Sequence, residues 1–386
     1  MFIKTATDKL LKQLAVIQHG SLKLTLPDGR EYLFSGKEEG PEADITLHRW
    51  QVIANLIRRG DIGFADDYRH GYWDSSDLIA LTTLGLQNRQ ALDDCITGST
   101  LSRGLTMISY LFKLNTLQGS KKNIHAHYDL GNDFYQLWLD PTMTYSSAIF
   151  NADSDSLSQA QHNKYDRILG CLGGNRGSVL EVGCGWGGFA ERALEKTNLQ
   201  LKGITLSEEQ HHFAGKRLNG AADIVLEDYR HQQGKYDYLV SIEMFEAVGE
   251  RFWPTYFSKM ASLLKDKGRA VVQTITINEQ DFSRYRRGGD FIRSFIFPGG
   301  MLPSPSRFEQ VARSAGLKTD TPYFFGRDYA TTLKMWLDNF DREKQNVLAL
   351  GFDEPFIRLW RFYLAACISG FNTGRTDVMQ IELSHA

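Results

Sequence analysis

The sequence predicts a doubly wound α/β domain preceded by a smaller α/β domain. Three observations carry this. From about residue 123 onward, strand-like apolar runs alternate with helical patterns: LKGITL and SEEQHHFAGKRL, then ADIVLEDY, then YDYLVSIEMF and WPTYFSKMASLL, then RAVVQTITI and SPSRFEQVARSAGL. Repeated β–α units with short links build a mostly parallel sheet with helices on both faces. Within that region VLEVGCGWGG, residues 179–188, reads as strand, tight glycine turn and helix. An apolar pair precedes the glycines, and Phe189, Ala190, Ala193 and Leu194 follow on one helical side. Finally, 386 residues is more than one core usually organises. The predicted boundaries are 1–92 for the small N-terminal domain, 93–122 for a connector and 123–386 for the larger domain.

The N-terminal stretch MFIKTATDKLLKQLAVI breaks its apolar residues with Lys4, Asp8, Lys9 and Lys12, which predicts an amphipathic helix and not a signal peptide. SLKLTLPDGREYLFSG alternates around Asp28-Gly29, a hairpin signal. HRWQVIANLIRRG and SDLIALTTLGLQN read as helices, with FADDYRHGYWDSSD as a loop between them. Residues 93–122 enclose an apolar middle, LTMISYLFKL, between polar ends. No apolar run is long enough to span a membrane. A net charge of -2 supplies no basic field, so nucleic acid is not an expected partner. The cysteines, Cys95, Cys171, Cys184 and Cys367, lack metal-ligand spacing and suggest no disulfide framework, so no metal site is expected.

A glycine turn alone is a weak signal, since dinucleotide sites use one too. Its surroundings narrow the ligand. Glu181 stands on the strand just before the glycines, where a carboxylate reaches a cationic or amino-bearing group. The second strand ends in Thr205-Leu206-Ser207-Glu208-Glu209-Gln210, which offers hydroxyls and an amide to a ribose. The third ends in Leu226-Glu227-Asp228-Tyr229, suited to an adenine ring and its amino group. Together these point to S-adenosylmethionine (SAM).

The ordered set YDLGNDFY, MTYSSAIF, VLEVGCGWGG, GITLSEEQ, SIEMFEAVG, FIFPGGMLPSP and FGRDYATTL resembles the cyclopropane-fatty-acyl-phospholipid synthase family, the relatives of mycolic acid cyclopropane synthases, from about residue 123 to 372. The resemblance implies a class I, Rossmann-like SAM-methyltransferase domain. It implies transfer of a methyl carbon from SAM to a cis double bond of a membrane phospholipid acyl chain, giving a cyclopropane. Carried over by motif, the cofactor residues are Tyr145, Ser146, Glu181, Gly183, Cys184, Gly185, Trp186, Gly187, Gly188, Thr205, Leu206, Gln210, Leu226 and Glu227.

Such chemistry needs a dry, aligned pocket for a weak nucleophile and a base to take one proton. The resemblance implies bicarbonate as that base, held by Ser147, Glu246, Gln273, Ile275 and Tyr329. Ser147 stands where the best-known members carry Cys, Gln273 where they carry His, and Glu243 replaces a small residue. Added negative charge beside an anion site weighs against the ion, so Glu246 is the expected base in its place. The altered residues leave a second reading open, a fatty-acyl C-methyltransferase that leaves a methyl branch. A small-molecule N-methyltransferase and a catalytically inactive lipid-binding protein are further rivals. Arg284, Arg286, Arg287 and Arg293, interleaved with Phe291, Phe295, Ile296 and Phe297, suit an anionic membrane surface. The expected location is therefore cytoplasmic, peripheral at the inner face of the membrane, with a homodimer through the N-terminal domain left open. EPFIRLWRFYLAACISGF places Phe356, Trp360, Tyr363, Leu364, Cys367 and Phe371 on one helical face, expected as core with part lining an acyl tunnel.

Overall fold

The computed structural model describes residues 2–96 and 130–386. The expected connector lies outside the described residues from position 97, as do residues 123–129 of the expected larger domain. The chain divides into two compact units. One comprises 1–112, 284–296 and 336–375; the other comprises 113–283, 297–335 and 376–386. A continuous domain ending at residue 92 is thus not the compact unit, which takes in two later stretches as well.

In the first unit, β1 (His19–Thr25), β2 (Glu31–Ser35), β3 (Glu38–Leu47) and β4 (Trp73–Asp74) form a sheet in the order β2-β1-β3-β4. The predicted hairpin is present, pairing Leu24 with Tyr32 and turning through Gly29 at φ +84°. β3 runs parallel to β1 and was not expected, since its first half, EEGPEA, lacks strand formers. The helices Phe2–Leu14, Gln51–Arg59 and Leu78–Gln87 match the reading, the last capped by Asp77, which accepts from Ile79 and Ala80 N–H.

FADDYRH is not a loop but most of the helix Asp61–Arg69. Gly60, at φ +61°, breaks it from the preceding helix; Phe64 stacks on Trp73 at 4.1 Å, and Tyr68 packs on it tilted, at 4.6 Å. The helix Glu354–Asn372 belongs to the same cluster. Phe362 lies 5.6 Å from Tyr68 and 5.9 Å from Trp73, and Arg358 donates to the carbonyls of Tyr68 and Trp73 and pairs with Asp74. Phe291 packs on Phe362 at 4.9 Å. Each such aromatic pair adds about 0.5–1.5 kcal/mol beyond burial, which accounts for the later stretches joining this unit.

The second unit holds β5 (Arg176–Val182), β6 (Asn198–Thr205), β7 (Asp223–Leu226), β8 (Tyr236–Ile242), β9 (Leu264–Ile277), β10 (Leu317–Thr319), β11 (Tyr323–Phe324) and β12 (Thr376–His385). Their order is β10-β12-β9-β8-β5-β6-β7, with β11 also on β12. β5 to β9 are parallel, as expected; β12 returns antiparallel beside β9. Val179, Leu180, Leu239, Val240, Val271 and Val272 are buried, as befits a sheet covered on both faces. Strand order reverses between β5 and β8, which opens a crevice at their C-terminal ends. Among the described residues no helix is long and apolar enough to cross a membrane.

Candidate active site

The crevice is a pocket built on the glycine turn. Gly183 and Cys184 both donate to the Ile204 carbonyl, which pins the turn to β6. A Cβ at Gly183, at φ +84°, would lie 2.8 Å from the Met244 side chain, so only glycine fits there. Gly185, at φ +52°, has nothing within 4 Å of its Cβ position: the loop backbone is open to a ligand there. The helix Gly188–Lys196 begins directly behind the turn.

Of the residues expected at a cofactor, Tyr145, Ser146, Glu181, Gly183, Cys184, Gly185, Trp186, Gly188, Thr205, Leu206, Gln210 and Glu227 all line this pocket. Two do not. Gly187 faces Ala214 and Leu218, and Leu226, 40% exposed, ends β7 on the surface. β7 is shorter than the sequence suggested, because Asp228 caps a 3-10 turn and draws Tyr229 into the pocket wall in Leu226's place. Thr205 donates to Gln210 at 2.9 Å, so the two expected ribose partners hold each other. Trp186 donates to Asn132 at 2.7 Å and packs 4.9 Å from Tyr135, which in turn packs on Tyr145.

Lys164 was not expected. It lies on the helix Leu157–Leu172, is fully buried, and donates to Ser146 Oγ at 2.7 Å, while Gln161 donates to the Ser146 carbonyl. Gln161, Lys164, Tyr165, Ile168 and Leu172 share the buried stripe of that helix; a lysine and a glutamine on such a stripe were the signal available. Burial pulls the lysine down to about 7, opposed by the charges of Glu243, Asp140 and Glu181. Glu181 is itself buried and raised well above the carboxylate range by burial, with one oxygen lacking any hydrogen-bond partner. An unpaired buried carboxylate oxygen beside an open glycine turn fits the amino-bearing, cationic end of SAM.

At one wall of this pocket, three elements converge on Glu243. The Ser147 N–H and the Gln273 amide donate to one oxygen at 2.8 and 2.7 Å, and Tyr329 donates to the other at 2.6 Å. Ser147 follows the Tyr145-Ser146 segment, Gln273 lies on β9 and Tyr329 on the helix Gly326–Arg342. These are donors that the resemblance assigned to bicarbonate, and the side chain of Glu243 occupies them. The residues present therefore do not fit a separate anion. The Ser147 hydroxyl turns away, donating to the Ala148 carbonyl. Glu243 has φ +48°, a left-handed conformation that costs a non-glycine residue roughly 1–3 kcal/mol and aims its carboxylate inward.

Glu246, the expected base, is engaged elsewhere. One oxygen accepts from the Ile275 N–H and from Thr274 Oγ1, so Ile275 holds a carboxyl and not bicarbonate. Glu246 is not among the pocket-lining residues; Glu243 is. Burial, and then the charge of Glu243, push the Glu246 carboxyl up to about 8. Burial also raises Glu243, but Tyr329, Ser147, Gln273 and the charge of Lys164 oppose the rise. Of the two buried carboxyls, Glu243 is thus the one whose charged form has the more support from its neighbours.

The expected membrane arginines divide. Arg293 donates to the carbonyls of Tyr285 and Gly288 at the end of the helix Glu279–Arg287, and so serves its own unit. Phe291 and Ile296 are buried and Phe295 lies under Arg69, which removes them from a wedge free to insert. Arg286 and Arg287 are exposed and Arg284 is partly so.

Two outcomes follow from this geometry. Gly185→Val places a branched side chain in the open side of the turn and should abolish SAM binding by calorimetry in a folded protein; equal affinity rules out the pocket. Glu246→Gln should change how stability depends on pH. The unfolded chain loses this proton near 4.5 and the fold keeps it to about 8, so wild-type stability falls as pH rises through that window. The variant lacks this slope, so its melting temperature relative to wild type should climb from pH 5 to pH 8; a constant difference refutes the assignment.

The profile of the mycolic acid cyclopropane synthetase family matches residues 115–381. A tuberculostearic acid methyltransferase of Mycobacterium tuberculosis is 34% identical over 97% of this chain and 90% of its own length. The cyclopropane-fatty-acyl-phospholipid synthase of Escherichia coli K12 is 32% identical over 89% of this chain and 88% of its own. The crystal structure of a mycolic acid cyclopropane synthase complexed with SAH and CTAB superposes with a TM-score of 0.64 at 33% identity, over 68% of this chain and 97% of that one. The glycine turn, the class I fold and these matches agree: the chain belongs to the mycolic acid cyclopropane synthetase family of SAM-dependent, lipid-modifying methyltransferases.

Proposed function

We propose that the protein methylates a carbon of a cis double bond in a phospholipid acyl chain and resolves the resulting cation to a methylene branch, with Glu243 as the base. The observation that carries this reading is the Glu243 carboxylate seated on Ser147, Gln273 and Tyr329. SAM supplies the electrophilic methyl group. The walls of the pocket, among them Tyr145, Tyr165, Phe189 and Met244, exclude water and present aromatic faces that tolerate a cation. Glu181 and the turn at Gly185 would hold the donor, with Tyr229 and Glu227 at its adenine end.

Once a methyl carbon bonds to one alkene carbon, its neighbour is a secondary cation. Immediate proton loss from the new methyl, with closure onto the neighbour, gives a ring. If hydride first shifts from the methylated carbon to its neighbour, the cation becomes tertiary. Loss of a methyl proton then gives a methylene branch (a 1,1-disubstituted alkene), and the proton passes to the carboxylate. Three donors on Glu243 spread its negative charge, tether it and weaken it as a base. Slower proton loss favours the shift. The mycobacterial relative, which spans nearly the whole chain, is a methyltransferase by name, and this supports the reading over the ring closure named for the Escherichia coli enzyme.

Both products are 14 daltons heavier than the substrate, so mass alone does not separate them. Ozonolysis of lipids from expressing cells does: a methylene branch is cleaved and a ring is not. An uncleaved product overturns the branch. Glu243→Gln should lower turnover by about a hundredfold or more while leaving SAM affinity intact. Wild type should work in buffer stripped of carbon dioxide; an enzyme silent until bicarbonate returns removes Glu243 as the base.

Access to an acyl chain implies contact with a bilayer, and Arg284, Arg286 and Arg287 are the basic group in place for it. Each basic residue near an anionic surface contributes on the order of 1 kcal/mol. Replacing the three by Ser should weaken sedimentation with phosphatidylglycerol vesicles by roughly a hundredfold at low salt; unchanged sedimentation takes this segment out of the interface.

A further inference from the structure

We propose that Gln380, on β12, is a positioning residue: it fixes the amide orientation of Gln273 and thereby favours the charged form of Glu243. Gln380 and Gln273 stand directly opposite each other across the antiparallel pair of β12 and β9. Both are buried. Gln380 Nε2 donates to Gln273 Oε1 at 2.9 Å, and Gln273 Nε2 donates to Glu243 Oε1 at 2.7 Å. A primary amide has one acceptor end and one donor end. With its oxygen held by Gln380, Gln273 can turn only its NH₂ toward the carboxylate. Rotated by half a turn, it would set its carbonyl oxygen against the charge.

A cross-strand pair thus carries information from β12 into the pocket. No ion is involved, only the polarity of two amides in series. The other groups facing Glu243 are the Ser147 N–H, Lys164 from the helix Leu157–Leu172, Tyr329 from the helix Gly326–Arg342, and Glu246 from Glu243's own loop. None of these touches the oxygen of Gln273 that Gln380 holds. Glu243 is therefore set by direct contacts and by one contact made at second hand. The inference deepens the reading of Glu243 as the base and takes its functional meaning from that reading, but the test does not depend on turnover.

The test is an infrared pH titration of the purified protein, following the carboxylic-acid band that Glu243→Gln removes. In Gln380→Met, which matches the length of the side chain and cannot donate, Glu243 should titrate about one pH unit higher than in wild type, the effect of weakening a hydrogen bond to a charged group. Gln380→Asn, which withdraws the amide by one methylene, should shift it the same way and serves if the first variant is unstable. In the Gln273→Met background, replacing Gln380 should add nothing, because the residue it acts through is gone. An unmoved titration in both single variants, or a further shift in the double variant, overturns the proposal. A wild type that makes rings would overturn the branch-forming reading and leave this result standing.

Discussion

A carboxylate removed from water must find donors, and in this protein the donors to Glu243 come from three separate elements. The backbone after Tyr145-Ser146, the middle of β9 and the first turns of the helix Gly326–Arg342 each contribute one. A hydrogen bond to a charged group is worth about 1.5–3 kcal/mol, and breaking one leaves the charge uncompensated. The position of those elements around the pocket is therefore coupled to the charge they share. Removing the charge would also leave three buried donors facing one another.

The adjoining region repeats the logic with the opposite sign. Lys164 is the basic group buried near the carboxyls of Glu181, Glu243 and Asp140, and it donates to Ser146 Oγ. That residue is contiguous with Ser147, whose N–H holds Glu243. The peptide between Ser146 and Ser147 therefore joins the buried lysine to the buried carboxyl of Glu243. Glu181 keeps an oxygen in reserve for a ligand that brings its own donors.

The glycine turn, the parallel strands and the twelve of fourteen expected cofactor positions that line the pocket were legible because each follows from local rules: periodicity, turn chemistry, and residues adjacent to a strand end. Glu243 was read as a repulsive charge because a sequence does not show whether a side chain faces an ion or replaces it. That depended on a left-handed backbone at one residue and on donors located about 100 residues before and 30 and 86 residues after it. Leu226 was misplaced by the shortness of β7, and Arg293 by a local capping role that resembles any other exposed arginine in a list of residues. The unit assembled from 1–112, 284–296 and 336–375 could not be read from composition, since its later stretches are held by aromatic packing on Trp73, Tyr68 and Phe362.

The left-handed backbone at Glu243 has a consequence for descent. That conformation suits glycine better than glutamate, so the loop does not need the carboxylate in order to keep its shape. Glutamate and glycine codons differ by a single base. A lineage carrying this scaffold can gain or lose its built-in acceptor in one mutational step, with the turn relaxing when the side chain goes. The donors on β9 and on the helix Gly326–Arg342 lose their shared acceptor in that step, so the same framework without the carboxylate presents buried donors that another acceptor would have to satisfy.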